Sequence, residues 1–249
     1  MISALLAGFI DAIVGGGGLI QLPVLFILFP SFSVPMAIGT NRFSSFMGTA
    51  VAAFQYLKKV KIPIKTTLLA SFGAASMSFL GANLSYKVSQ EILKPIILVL
   101  MICIAVYTYR KKALGLEEKL RFSLKILPFA GLIIGMSAGF YNGFVGPGTG
   151  SLLIFGFVSI IGFGFIRASA ISKIVNFIGD ISSLIFFLSK GFVIFKIGIP
   201  MMLCNILGSY IGSKTALKNG SAFVRKMFLV VVGLLLLRFG YDILKPFLI

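Results

Sequence analysis

At 249 residues, 58% hydrophobic and only 12% charged, the chain is excluded from the class of soluble globular domains. Apolar runs near the roughly 20 residues that cross a bilayer recur along almost its whole length. The formal charge of +17 is no nucleic-acid signature, because the lysines and arginines gather in short connections: Lys58, Lys59, Lys61 and Lys65, then Arg110 to Lys125, then Lys214 to Lys226. Such clusters mark cytoplasmic loops, and no folded basic domain is left over to hold a nucleic acid.

Taken in chain order, eight hydrophobic segments are expected, at about 1–29, 34–57, 62–86, 90–109, 126–165, 167–189, 192–216 and 223–248. The fold class is an all-α polytopic membrane protein in a lipid bilayer. The first run lacks a basic leader and carries Asp11, so it reads as membrane structure and not as a cleaved signal peptide.

Within that first run, Ala7-Gly8-Phe9-Ile10-Asp11-Ala12-Ile13-Val14-Gly15-Gly16-Gly17-Gly18 returns as Ala138-Gly139-Phe140-Tyr141-Asn142-Gly143-Phe144-Val145-Gly146-Pro147-Gly148-Thr149. The offset is 131 residues, and Leu22/Leu153, Ala37/Ala168, Gly48/Gly179, Lys59/Lys190, Gly81/Gly212 and Lys87/Lys218 match at it too. Two four-segment repeats follow: residues 1–109, a basic cytoplasmic connection at 110–125, and residues 126–249. Glycine and proline are costly inside helices, so both opening runs are expected to break at their glycines. Unwound backbone at membrane depth must face protein or a cavity, and a duplicated glycine-broken segment points to a transporter's binding site. The charge bias favours inverted repeats, with loops 58–65, 110–125 and 214–226 on one side. Cysteine labelling at 87 and 218 would separate inverted from parallel repeats.

Four charged residues lie inside apolar runs: Asp11, Arg42, Lys173 and Asp180. A charge near the bilayer centre costs on the order of 3 kcal/mol, so each is expected to face a partner or a cavity. Arg42 and Lys173 are equivalent at the 131 offset, and each stands in a polar string: Thr40, Asn41 and Ser44 around the first, Ser172 and Asn176 around the second. Two related cations beside two glycine breaks suggest one anion site. The half-helix N-termini, at Gly15, Gly16, Gly17 and Gly18 and at Gly146 and Gly148, would offer N–H groups to it. Snorkelling to a headgroup is the structural alternative for the cations. Asp11 maps onto Asn142 and Asp180 onto Thr49, so the aspartates either balance the cations or serve in coupling.

Competing chemistries fit poorly. Phe177-Ile178-Gly179-Asp180 lacks the Gly-x-Gly-Asp of a membrane aspartyl protease, and the glycine string is neither a dinucleotide fingerprint nor a P-loop. There is no histidine, and Cys103 and Cys204 stand alone in apolar surroundings, so neither an enzyme nor a metal or other cofactor is expected.

The segments Gly8-Phe9-Ile10-Asp11 with Gly15 to Gly18, Ala37-Ile38-Gly39-Thr40-Asn41-Arg42, and Gly139 through Ser151 resemble the TauE/SafE family over essentially the whole chain. That resemblance implies a bacterial inner-membrane transporter with eight transmembrane segments, linked to sulfite and organosulfonate movement. The chain departs from the family pattern at Asn142, where Asp is common, and at Ile171, where His occurs. Both departures remove groups on which proton coupling would rest. The expected function is secondary transport of a small anion by alternating access, with a passive anion channel as the alternative.

Overall fold

A computed structural model describes residues 1–85 and 114–248, and all the regular structure among them is helical. The helices are α1 (Ile2–Val14), α2 (Gly17–Leu28), α3 (Val34–Leu57), α4 (Ile64–Ser85), α5 (Leu127–Phe144), α6 (Thr149–Gly156, extended by a π turn, Phe157–Ile161), α7 (Phe165–Ser189) and α8 (Phe195–Leu248). The expected segment at 90–109, with Cys103 and Lys87, lies outside the described residues.

Local chemistry sets the boundaries. Ser33 caps α3 by accepting from the Met36 amide, with Pro35 in the first turn. The first apolar run breaks at Gly15 and Gly16, and the fifth breaks between Phe144 and Thr149. The expected seventh and eighth segments are two helices that follow one another within α8 across a kink at Gly220, whose φ of 75° is not helical. Four described helices are long and apolar enough to cross a membrane: Ile64–Ser85, Leu127–Phe144, Phe165–Ser189 and Phe195–Leu234. Helix α3 is as long as these (24 residues) but carries the polar string around Arg42.

The register of the contacts fixes which way each helix runs. Ala4 meets Asn205, and Leu5 and Phe9 meet Gly208 and Gly212, so α1 is parallel to the first part of α8. Phe43 at Gly198 and Gly48 at Asn205 make α3 parallel to it as well. On the other side, Thr66, Ala70, Ala74 and Ser78 of α4 face Gly131, Gly135, Gly139 and Gly143 of α5. This ladder of small residues brings two parallel backbones close enough for dispersion to hold them. Ala75 with Ser182 and Phe79 with Phe186 make α7 parallel to α4. The two sets are opposed: Gly39 sits at Phe187 and Arg42 at Asp180, while Asp11 sits at Lys173 and Ile13 at Ser169. Helices α1, α3 and the first part of α8 thus point one way, and α4, α5 and α7 the other.

Each broken run doubles back. Gly17 stands against Asp11, whose Cβ would be 2.9 Å from a Cβ on that glycine, so α2 returns beside α1. Thr149 contacts Asn142, and Gly156 faces Ile134, so α6 returns along α5. Because α1 and α5 point in opposite directions, the two hairpins enter from opposite ends, and their tips meet where Gly150 lies on Gly15. A Cβ on Gly150 would stand 2.6 Å from the Gly15 Cα.

The basic connections share one end. Residues 58–63 follow α3 there, Gly115 packs on Phe165 at the start of α7, and the Ile166 amide donates to Ser221 beyond the Gly220 bend. The Lys119 and Arg121 amides donate to Gly162 and Ile161 at the same end.

Candidate functional site

Where the hairpin tips meet α3 and α7, a polar cavity of about 40 Å³ opens. At roughly 10–15 Å³ per water, it is sized for a few waters. Its walls include Asp11 and Gly16, Asn41, Arg42, Ser45 and Thr49 of α3, Asn142, the Gly146-to-Gly150 turn, and Asn176 and Asp180 of α7.

Arg42 is 3% exposed, so snorkelling is not its arrangement. Its Nη1 donates to Asn142 Oδ1 at 2.9 Å and to Asp180 Oδ1 at 3.0 Å, its Nη2 donates to the Asn142 carbonyl, and the Phe187 ring lies 5.8 Å away. The Arg42 Nε, buried as well, has no hydrogen-bond partner. Gly146 has φ of 92°, and a Cβ there would approach Arg42 Nη2 to 2.7 Å, so only glycine leaves the guanidinium its place.

Lys173, at 0% exposure, makes the matching set. Its Nζ donates to Asp11 Oδ2 at 3.0 Å and to the Asp11 carbonyl. Each cation therefore reaches the last turns of the opening helix of the other half, where the helix dipole places negative partial charge. A buried cation with a carboxylate removed would cost about 3–5 kcal/mol.

Asp11 also accepts from the Gly16 and Gly17 amides at 3.0 and 3.2 Å. Those two amides at the start of α2 were expected to be open to a ligand; the chain's own carboxylate fills that role. At the start of α6 the Thr149 amide donates to the Gly146 carbonyl, and among the described residues no side chain accepts from the Gly148 or Gly150 amide. Gly148, Thr149 and Gly150 of that start line the cavity.

Of the residues singled out from sequence, Asp11, Gly16, Gly18, Asn41, Arg42, Asn142, Gly146, Gly148, Asn176 and Asp180 meet at the cavity. Gly15 lies at the hairpin contact, Gly17 against α1, and Lys173 behind Asp11. Thr40 accepts from the Ile194 amide, and Ser44 accepts from Gln21 and donates to the Asn41 carbonyl. Ser172 is buried with no partner and does not line the cavity. Ser45, Thr49 and Thr149 were missed. The 131 offset pointed to two of them, since Ser45 and Thr49 correspond to Asn176 and Asp180. Cys204 packs against Met1, 3.7 Å between sulfurs.

Long apolar helices closed around a buried, ion-paired polar centre make this an integral membrane protein. The family model described as "Sulfite exporter TauE/SafE" matches residues 1–239. The chain therefore belongs to the TauE/SafE family. It is 35% identical over 242 residues to the Escherichia coli K12 protein named "Probable membrane transporter protein YfcA", covering 96% of this chain and 87% of that one. It is 33% identical over 248 residues to "Probable membrane transporter protein ORF9" of a Sinorhizobium species, covering 98% and 92%. It is also 33% identical over 236 residues to a Haemophilus influenzae "Probable membrane transporter protein", covering 95% and 91%. No solved structure matches the chain.

Proposed function

We propose that this protein is a secondary transporter of a small anion, of the sulfite or organosulfonate class, working by alternating access of two inverted repeats in a bacterial inner membrane. The observation that carries the reading is the Arg42 Nε: a buried, unpartnered N–H of a permanent cation, on a cavity that also receives the uncapped start of α6. Both supply positive potential to the same small volume. The planar fork of arginine suits an oxyanion, and the family's descriptive name, a sulfite exporter, points to the same class.

In this reading Arg42 touches the anion, the amides of Gly148 and Gly150 complete its shell, and Asn41 and Asn176 supply polar contacts. Lys173 acts through Asp11, holding the tip of the first hairpin. Alternating access fits hairpins that enter from opposite ends and meet at Gly15, Gly18, Pro147, Gly150 and Ser151. Residues equivalent at the 131 offset, such as those of α1 and α5 or α3 and α7, lie on oppositely directed helices, which is the arrangement of inverted repeats. The basic end, by its lysine and arginine excess, is cytoplasmic.

Counterflow of labelled sulfite and small sulfonates in liposomes tests this. Saturable counterflow is expected in the wild type, with at least a tenfold loss in Arg42→Ala and a loss in Lys173→Ala. An unsaturable current would favour the passive channel, and unchanged saturable flux in both variants would remove the anion site.

A further inference from the structure

We propose that the anion is loaded together with a monovalent alkali cation, sodium by size, bound by Asn176 Oδ1, Asn41 Oδ1 and the open side of Asp180 Oδ2. The proposal rests on the transport reading above and names its coupling partner.

The first argument is charge. Four ionised residues are gathered at the centre, Asp11 and Asp180 against Arg42 and Lys173, so the unloaded centre is already neutral. A monoanion entering it leaves one net negative charge buried between apolar helices, a cost that a companion monovalent cation cancels.

The second argument is the kind of vacancy. An anion uses donors, yet residues that line the cavity also carry buried acceptors with nothing to accept from. Asn41 Oδ1 and Asn176 Oδ1 are both unpartnered, in residues 7% exposed that line the cavity. The orientation of Asn176 is set by chemistry: its Nδ2 donates to Asp180 Oδ2 at 2.9 Å, and a flipped amide would put two oxygens face to face. Asp180 Oδ1 already accepts from Arg42 and Asn142, whereas Oδ2 has Asn176 alone. Two unpartnered neutral amide oxygens and a carboxylate oxygen with one donor, in residues that line one cavity, are the kind of ligand set that a hard cation takes.

A proton fits less well. Both oxygens of Asp11 are occupied, Oδ1 by the Gly16 and Gly17 amides and Oδ2 by Lys173 and Thr49. A proton on Asp180 would offer one O–H donor, to one asparagine oxygen at most, whereas a metal ion satisfies all three acceptors together. A divalent ion would overshoot the single charge that a monoanion brings.

The test is sulfite accumulation in liposomes under a tenfold inward sodium gradient, against equal potassium, choline and pH gradients. Accumulation up to about tenfold with sodium, unchanged by an imposed membrane potential and lost in Asn41→Ala, is the expected result. Flux that follows the pH gradient, or ignores sodium, overturns the cation assignment and leaves anion transport standing. Absent flux in every condition overturns the transport reading instead. The thermal midpoint of the detergent-solubilised protein then decides the cation site. It should rise with sodium chloride and not with choline chloride, because a ligand that binds only the folded state stabilises it, and no sodium-specific rise sinks the proposal.

Discussion

At Arg42 the chain buries a guanidinium and surrounds it with partners drawn from the opposite half. The offset of 131 places Asn142 where the first half has Asp11, and Asp180 where it has Thr49. In the first half the carboxylate comes from the opening helix and the hydroxyl from α3; Thr49 lies 3.5 Å from Asp11. In the second half the opening helix supplies the amide and α7 the carboxylate, 3.0 Å apart. The charge has moved one helix over without being lost, so Asn142 stands where the first half has its carboxylate, Asp11. Removing it in Asp180→Thr should destabilise by about 3–5 kcal/mol, as for a buried ion pair with one partner deleted. Adding Asn142→Asp to that variant should recover most of the loss, because it rebuilds the first half's pattern around Arg42. Thermal unfolding in detergent reads both, and a double variant no better than the single one would refute the equivalence. The four charges were legible in the sequence as residues needing partners. Which carboxylate serves which cation was not, because the pairing runs between halves and depends on the antiparallel course of α3 and α7.

Among the elements, the broken opening helices carry the architecture. Glycine runs inside apolar stretches announced the breaks, but not that each run folds back as a hairpin or that the tips touch. That contact depends on the absence of side chains at both tips: Ser151 donates to the Val14 and Gly15 carbonyls, and Gly150 lies on Gly15. The backbone at Gly150 is one that alanine adopts, so Gly150→Ala introduces only the clash at 2.6 Å and isolates the tip contact from backbone strain. Overpacking of this kind costs about 1–3 kcal/mol, and here it also pries the hairpins apart. The expected outcome is a lowered thermal midpoint with counterflow reduced at least tenfold. Gly191→Ala is the contrast: its φ of 70° imposes strain, but no atom lies within 4 Å of the added carbon. Its transport should persist, and equal loss in both variants would mean that the tips do not matter to the cycle. The small-residue ladder from Gly131 to Gly143 recurs every four residues, but its partner, α4, emerges only from the packing.

At the scale of the molecule, described helices that are equivalent at the 131 offset, α1 with α5 and α3 with α7, run in opposite directions, and the functional proposals all depend on that opposition. Parallel halves would place both hairpins on one side, with no shared cavity between their tips. Three basic stretches at one end of the bundle fit the insertion rule for a single cytoplasmic face, and their clustering was readable from charge alone. Lys59 and Lys190 are equivalent at the 131 offset, both exposed, and lie at opposite ends of the bundle. The most direct test is therefore labelling of Lys59→Cys and Lys190→Cys by a membrane-impermeant thiol reagent, in intact cells and inverted vesicles, with Cys103 and Cys204 replaced by serine. Position 59 should react only from the cytoplasmic face and position 190 only from the other. Reaction of both from the same face would contradict the inverted arrangement, and with it the cavity between opposed hairpins.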